Sequence, residues 1–269
     1  MKQQSLKIKL NHLKKNILKL GKVMVAFSGG VDSSFLLLIC SQVVKKNVWA
    51  VTIDSSFISQ SEVKAARAFA KKYSIKHTVI KIDILSDKII TANPRKRCYF
   101  CKKKIMTELL DLARKKGYNH VLDGSQLSDF KVYRPGKIAL KELGIISPLA
   151  QAKINKSDVR ALAQKLKLKI WDNPSEACLA TRFPYGTNLT RSKLTKVAYA
   201  EKILKNFGFK QLRIRVHGDI ARIEVSKNKI VKLIKLLDNK SVKALNSIGY
   251  RYICVDLEGY RSGSMDNIK

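Results

Sequence analysis

The segment Ser28-Gly29-Gly30-Val31-Asp32-Ser33-Ser34 constrains this chain more than any other. It follows an apolar run, KVMVAF at 22–27, and precedes a stretch of helical character at 33–45. Gly29 and Gly30 between strand and helix let the backbone take φ > 0 and approach a ligand closely. Successive backbone N–H groups, the serine hydroxyls and the helix N-terminus then make an anion cradle. The G-K-[ST] ending of a Walker A loop is missing, and so is the G-x-G-x-x-G dinucleotide spacing. The expectation is a phosphate-binding loop of another kind.

Downstream, apolar runs alternate with helical stretches. VWAVTID (48–54), HTVIKI (77–82) and HVLDG (120–124) read as strands. Residues 60–73 and about 99–116 read as helices between them. This alternation predicts an α/β unit, a parallel sheet with helices on both faces. Ligands of such sheets bind beyond the carboxyl ends of the strands. Residues 125–155 are looser, with a turn-like YRPG at 133–136. Asn155 or Ser157 is placed to cap a helix running to about 167. WDNPSEACLATRFPYGTNLT (171–190) reads as an ordered connector. A helix at about 191–206, two strands around His217, Gly218 and Asp219, helical segments at 227–247 and a strand at 252–257 follow. They predict a small C-terminal α+β domain. The boundary falls near 175–190, giving domains at 1–180 and 181–269.

With 45% hydrophobic residues the chain can bury a proper core. The net charge is +34, from 54 basic and 20 acidic residues. A nucleic-acid partner is one explanation. The lysines are scattered through every segment, however, and no aromatic residues interleave them as a base-stacking platform requires. The reading is a solvated basic surface that attracts small phosphorylated molecules, with nucleic acid not expected as a partner. No run of 18 apolar residues exists, so no membrane span is expected. Leu6, Leu10, Leu13, Ile17 and Leu20 recur at helical spacing, so the N-terminus reads as an amphipathic helix rather than a signal peptide. The expected location is the cytoplasm.

Five cysteines, an odd number, argue against a disulfide framework. Cys98 and Cys101 form a C-x-x-C just before a helix, and Cys178 lies in ACLATR. Three readings stand side by side. The first is a redox pair, the second a zinc site, the third an iron–sulfur cluster on three cysteines with one iron left open. The lack of a second C-x-x-C and of an obvious histidine partner counts against zinc. Cys40 and Cys254 sit among apolar neighbours and read as buried core thiols.

SGGVDSS resembles the PP-loop of ATP pyrophosphatases, which cleave ATP between the α- and β-phosphates and attach AMP to a substrate oxygen. By that resemblance the ATP ligands are Ser28, Gly29, Gly30, Val31, Asp32, Ser33 and Ser34, with Mg²⁺. Asp54 would face the nucleotide, and Gly124 would lie against adenine or ribose. Taken in order, SGGVDSS, NPRKRCYFCK, YRPGKIAL, SPLAQAKINKSDVR, WDNPSEACLATRFPYG, RIRVHGDIARIEV and DLEGYRSGSM resemble the LarE family of ATP-dependent sulfur transferases. The resemblance implies adenylation of carboxylates on a pyridinium biscarboxylic acid mononucleotide. Their replacement by thiocarboxylates would follow, in synthesis of the nickel-pincer nucleotide. It implies a [4Fe-4S] cluster on Cys98, Cys101 and Cys178, or else Cys178 as a sacrificial sulfur donor. Glu201 and Glu224 match acidic active-site positions of that family. Arg213 and Arg215 share one face of a strand and suit a phosphorylated substrate. Arg182 suits a carboxylate or phosphate through its planar fork. Family members form trimer-based homo-oligomers. One segment departs from the family: after Gly124 the chain reads SQLSDF, where an Asn and an Asp pair are expected and only Asp129 remains of the acids. The rival readings are a tRNA thiolase, an amidating enzyme like NAD synthetase, and a non-catalytic binding module.

Overall fold

In this computed structural model residues 2–131, 135–174, 176–209 and 211–266 are described, so Tyr133 and Arg134 of the YRPG turn lie outside them. The chain forms two compact units. The first comprises 1–83 and 96–175, the second 84–95 and 176–269.

The first unit opens with α1 (Lys2–Leu20), whose Leu6, Leu13 and Ile17 are buried and whose Leu10 and Leu20 pack partly against the same core. The strands β1 (Val23–Ala26), β2 (Val48–Asp54), β3 (His77–Lys81) and β4 (His120–Leu122) form one parallel sheet. Their order is β3-β2-β1-β4. The first crossover, α2 (Val31–Val44), is apolar nearly all round and packs with α1 in the core. The second, α3 (Gln60–Lys72), starts on a capping box in which Ser59 and Glu62 satisfy each other's backbone N–H groups. Val23 and Val25 of β1 join the α1–α2 core, and Met24 on the opposite pleat is also fully buried. Alternate residues face opposite sides, so the sheet is covered on both.

After β3 the chain leaves this unit for a short helix, α4 (Lys88–Thr91), then returns with α5 (Arg97–Lys115). Beyond β4 come α6 (Gly136–Glu142), α7 (Pro148–Gln151) and α8 (Lys156–Lys165). Asn155 and Asp158 close a second capping box at the start of α8. Successive connections leave β1 toward β2 on one side and β4 on the other. Such a reversal of strand order opens a crevice at the carboxyl end of β1. The sequence expectation of a parallel α/β sheet with helices on both faces is met, with element ends shifted by up to two residues.

In the second unit α9 (Arg191–Lys205), capped by Thr190, precedes the hairpin β5 (Leu212–His217) and β6 (Ile220–Val225). Then α10 (Ile230–Leu236) and α11 (Asn239–Ser247) lead to β7 (Tyr252–Val255). The strand order is β5-β6-β7, antiparallel then parallel, as a hairpin followed by a helical crossover requires. Residues 84–95 are tied here by backbone bonds from Gly186 to the Asn93 carbonyl (2.9 Å) and from Leu189 to the Thr91 carbonyl (2.8 Å).

One expectation is corrected. Cys254 is exposed, not buried. Strand β7 is an edge strand, and Tyr252 and Cys254 share its solvent face. Cys40 is buried as expected, and burial pushes its thiol pKa far up. Among the described residues no helix is long and apolar enough to cross a membrane.

Candidate functional site

The loop after β1 belongs to the first unit. Gly29 has φ +78, which a side chain rarely adopts, and a Cβ there would meet Ala66 of α3 at 3.3 Å. Gly30 does not have the positive φ expected of it. It sits at −73 in an extended conformation and begins α2. No side chain caps α2, so its first turn presents its orphan N–H groups outward from the loop. The Ser28 and Ser33 hydroxyls lie 3.0 Å apart, and Ser33 also donates to the Gly30 carbonyl at 3.2 Å. Thr52 of β2 donates to the Phe27 carbonyl at 2.7 Å, fixing the strand end from which the loop departs.

Gly124, just past β4, is a packing glycine. A Cβ there would stand 2.9 Å from the Ser33 nitrogen and 3.0 Å from its Cα. The backbone of the β4 loop therefore lies directly against the first turn of α2. The carboxylate of Asp123 beneath it accepts from the Ser125 and Ser147 hydroxyls, at 2.5 and 2.6 Å. Asp129 accepts from the Gln126 N–H at 3.0 Å, and its charge reaches Asp32. Asp54, at the carboxyl end of β2, accepts from the Gln60 side chain at 2.9 Å.

Asp32 is the electrostatic centre of the loop. Burial raises its pKa above the usual carboxylate range, while a hydrogen bond and charge from Lys156 oppose that rise. Lys156 Nζ donates to Asp32 Oδ2 at 2.5 Å. The other oxygen, Oδ1, is buried with no hydrogen-bond partner among the described residues. The Ser34 hydroxyl, fully buried, also has none. Buried polar atoms are nearly always satisfied, so two orphans in one anion-binding loop point to a missing partner. A divalent cation fits Oδ1 in chemistry: a hard oxygen donor beside a phosphate cradle.

Lys156 and Arg160 escaped the sequence reading. They lie one turn apart on α8, and both reduce the cost of charge on Asp32. The Arg160 Nε is buried without a partner among the described residues. Their i, i+4 spacing after a capping Asn was the available signal. What they face is set by a contact 124 residues away in sequence.

Cys98 and Cys101 open α5 in the first unit. Cys98 is exposed and Cys101 half-exposed. The buried Arg97 donates to the Cys98 sulfur at 3.6 Å. A Cβ on Gly136 would lie 3.3 Å from the Cys98 carbonyl, so α6 packs closely on this turn. None of the five cysteines forms a disulfide, and within either unit no group of three or more His, Cys, Asp or Glu among the described residues is arranged to hold a metal ion.

The remaining expected residues meet in the second unit. Cys178, half-exposed, precedes a tight helical turn at Leu179–Arg182. Arg182, 1% exposed, forms a two-pronged pair with Glu201 of α9, Nε to Oε1 at 2.8 Å and a terminal nitrogen to Oε2 at 3.1 Å. Its other terminal nitrogen donates to the carbonyls of Ala177 (2.9 Å) and Cys178 (3.3 Å) and to the Thr181 hydroxyl (2.9 Å). Burial disfavours the Arg182 charge, yet Glu201 outweighs it and holds the guanidinium pKa up.

Arg215 donates to Glu224 at 2.9 Å and to the Thr181 carbonyl at 2.9 Å. Burial lowers its pKa, Glu224 opposes, and neighbouring Arg182 adds to the lowering. Glu224 accepts in turn from Ser264 (2.8 Å) and pairs with Arg222 (3.4 Å). Arg213 pairs with Glu176 at 3.3 Å, and its guanidinium lies 5.6 Å from the centre of the Tyr260 ring. Every arginine expected to hold substrate thus has acidic and carbonyl partners of its own. The lattice fixes the backbone of Cys178 through Thr181 and Arg182.

A parallel sheet with a glycine loop and an uncapped helix at its switch point defines an anion-binding protein of the α/β class. Comparison with known proteins narrows it. A model of the NAD synthase family matches residues 5–105. The chain is 39% identical to pyridinium-3,5-bisthiocarboxylic acid mononucleotide synthase of Lactiplantibacillus plantarum, over 92% of this chain and 90% of that protein. It is 37% identical to an uncharacterized protein of Synechocystis over 98% of each chain. It is 34% identical to an uncharacterized protein of Methanocaldococcus jannaschii over 95% of this chain and 97% of the other. The chain belongs to the LarE family.

Proposed function

We propose that the chain is an ATP-dependent sulfur transferase. It adenylates carboxylates of a pyridinium mononucleotide and converts them to thiocarboxylates. The observation that carries this reading is the loop itself, where an open helix N-terminus and two orphaned polar groups await a polyphosphate and its cation. The product named by the 39%-identical relative supports this substrate class.

The chemistry follows from leaving-group quality. A carboxylate oxygen leaves poorly, whereas an acyl adenylate expels AMP readily. Backbone N–H groups of the loop hold the β- and γ-phosphates, and Gly124 keeps the β4 loop tight against that turn. The substrate carboxylate attacks the α-phosphorus, and the bond to pyrophosphate breaks with its electron pair on the leaving oxygen. Lys156 and Arg160 stabilise charge on that group. A divalent cation held by Asp32 would supply further neutralisation. A sulfur nucleophile then adds to the acyl carbon, and AMP departs with the C–O electron pair.

The family resemblance is what names Cys98, Cys101 and Cys178 as ligands of an iron–sulfur cluster; each is a thiol outside any disulfide, the donor type such a cluster would take. Such a cluster would supply the sulfur to be transferred. Arg97, donating to the Cys98 sulfur, orients that side chain, and the Arg182–Thr181 clasp fixes the backbone of Cys178. By the family resemblance Arg182, Arg213 and Arg215 would take the substrate phosphate and carboxylates, joining or displacing their present partners.

The test is anaerobic. Purified protein is incubated with ATP, Mg²⁺, sulfide and pyridinium-3,5-biscarboxylic acid mononucleotide. Pyrophosphate, AMP and a thiocarboxylate mass shift should appear together, and Asp32→Ala should abolish all three. Iron and sulfide analysis should find a cluster that Cys101→Ala removes. Unchanged iron in that variant refutes the ligand set. The match to NAD synthase supports a second reading, in which ammonia displaces AMP. Turnover with ammonia and a nicotinate dinucleotide, and none with sulfide, would select it.

A further inference from the structure

A carboxylate at the mouth of a phosphate cradle presents a charge problem. Asp32 is part-buried, and beside an incoming polyphosphate its negative charge is repulsive unless a cation stands between them. Lys156 puts a cation in that place. Lys156 Nζ lies 2.5 Å from Asp32 Oδ2, on the first turn of α8, whose start is fixed by the Asn155–Asp158 capping box. Asp158 is in turn held by Lys9 of α1 at 2.6 Å. The lysine is thus delivered by a rigid element, yet its own stem is flexible and 29% exposed. Asp32 Oδ1 is left buried and unpartnered among the described residues. The other charged groups that reach Asp32 are Asp129 and Arg160, one of each sign. Neither forms a hydrogen bond with it that could replace Lys156.

From this geometry we infer that Lys156 is an exchangeable counter-ion. It neutralises Asp32 before the nucleotide binds, yields that carboxylate to the divalent cation that accompanies the nucleotide, and turns to the phosphates. The exchange keeps the site near electrical balance in both states. Before binding, one ammonium faces one carboxylate. After binding, the carboxylate faces the divalent cation and the ammonium faces phosphate. No bond to carbon or phosphorus changes. The inference rests on the ATP-binding reading of the loop. It adds that Lys156 competes with the metal ion while supporting the phosphates. A lysine that only pinned α8 to α2 would do neither.

Opposite signs make the test sharp. In Lys156→Met, Mn²⁺ binding without nucleotide, followed by electron paramagnetic resonance, should tighten several-fold because the competitor is gone. Calorimetry with Mg²⁺–pyrophosphate should show binding weakened by about tenfold, the scale of one charge-assisted contact. Lys156→Arg should restore both values toward wild type. Asp32→Asn gives the mirror image. Mn²⁺ binding is lost, while metal-free pyrophosphate binds more tightly because Lys156 is already released.

Circular dichroism confirms that each variant is folded. If Lys156→Met lowers both affinities together, or changes neither, the exchange is overturned and the pair is structural. Should that variant fail to fold, Lys156→Arg and Asp32→Asn decide alone. An Asp32→Asn protein with no gain for metal-free pyrophosphate overturns the proposal. If wild-type protein binds no Mg²⁺–pyrophosphate at all, the nucleotide reading of the loop fails first, and the exchange with it.

Discussion

The loop of the first unit and the arginine lattice of the second treat polar groups in opposite ways. Around Asp32 the chain leaves acceptors unfilled: Oδ1 of Asp32 and the Ser34 hydroxyl are buried without partners among the described residues. Around Cys178 the charges are matched. Arg182 faces Glu201, Arg215 faces Glu224, and Arg213 faces Glu176. The first region is pre-organised for a guest that completes it. In the second these charges are already paired, although Arg222 Nε is buried without a hydrogen-bond partner among the described residues, so a guest must join or displace existing pairs. Substitutions should therefore damage binding in the first region and folding in the second.

The largest effect is expected in the lattice. Glu201→Ala leaves the Arg182 guanidinium, 1% exposed, without its two-pronged partner, and also removes the acceptor of the Ile214 N–H at 3.0 Å. Stripping one member from a buried pair costs about 3–5 kcal/mol. Urea unfolding should show a loss of that size. Adding Arg182→Met should recover much of it, because an apolar pair of similar volume no longer strands a charge. No recovery in the double variant would mean that the lattice is held by something other than charge matching.

How much of this contrast was legible beforehand differs between the two regions. The loop was legible because its signal is local: strand, glycine pair and helix follow one another within 22–45, and the sheet follows from the same alternation. Its electrostatics were not, because Lys156 comes from 124 residues away. Arg213 and Arg215 were readable as one strand face. Their acidic partners come from Glu176 and from the opposite strand, and period-two alternation says nothing about either. Cys254 was misread because alternation gives two faces without saying which is wet. The excursion of residues 84–95 depends on backbone bonds to Gly186 and Leu189, which no local pattern announces.

A smaller effect, mixed in kind, is expected where β4 meets the loop. In Gly124→Ala the new methyl stands 2.9 Å from the Ser33 backbone nitrogen, and backbone gives way poorly. Overpacking of this sort costs about 1–3 kcal/mol. The shift falls on the turn that carries the phosphate-binding N–H groups, so nucleotide binding should suffer as well. Thermal unfolding and calorimetry with Mg²⁺–ATP on the same samples separate the two losses. A loss of stability with affinity intact would show that Gly124 serves packing alone, and would weaken the idea that the loop's geometry is tuned from the β4 side.

The sharpest contrast comes from the substitution with the smallest expected effect on stability. Ser34 lies on the first turn of α2, fully buried, with its hydroxyl unbonded among the described residues. Removing a buried hydroxyl that has no partner abolishes a desolvation penalty, and alanine is the better helix former. Ser34→Ala should therefore unfold within about 0.5 kcal/mol of wild type, or slightly later, because no folded-state contact is lost. Mg²⁺–pyrophosphate binding should nevertheless weaken by roughly tenfold, since the hydroxyl's missing partner is supplied by the guest. In the lattice the same kind of truncation, Thr181→Ala, removes bonds to Arg182 and to the Cys178 carbonyl, and should cost stability outright. A destabilised Ser34→Ala protein, or one that binds pyrophosphate as well as wild type does, would erase the distinction between an unfinished site and a finished one.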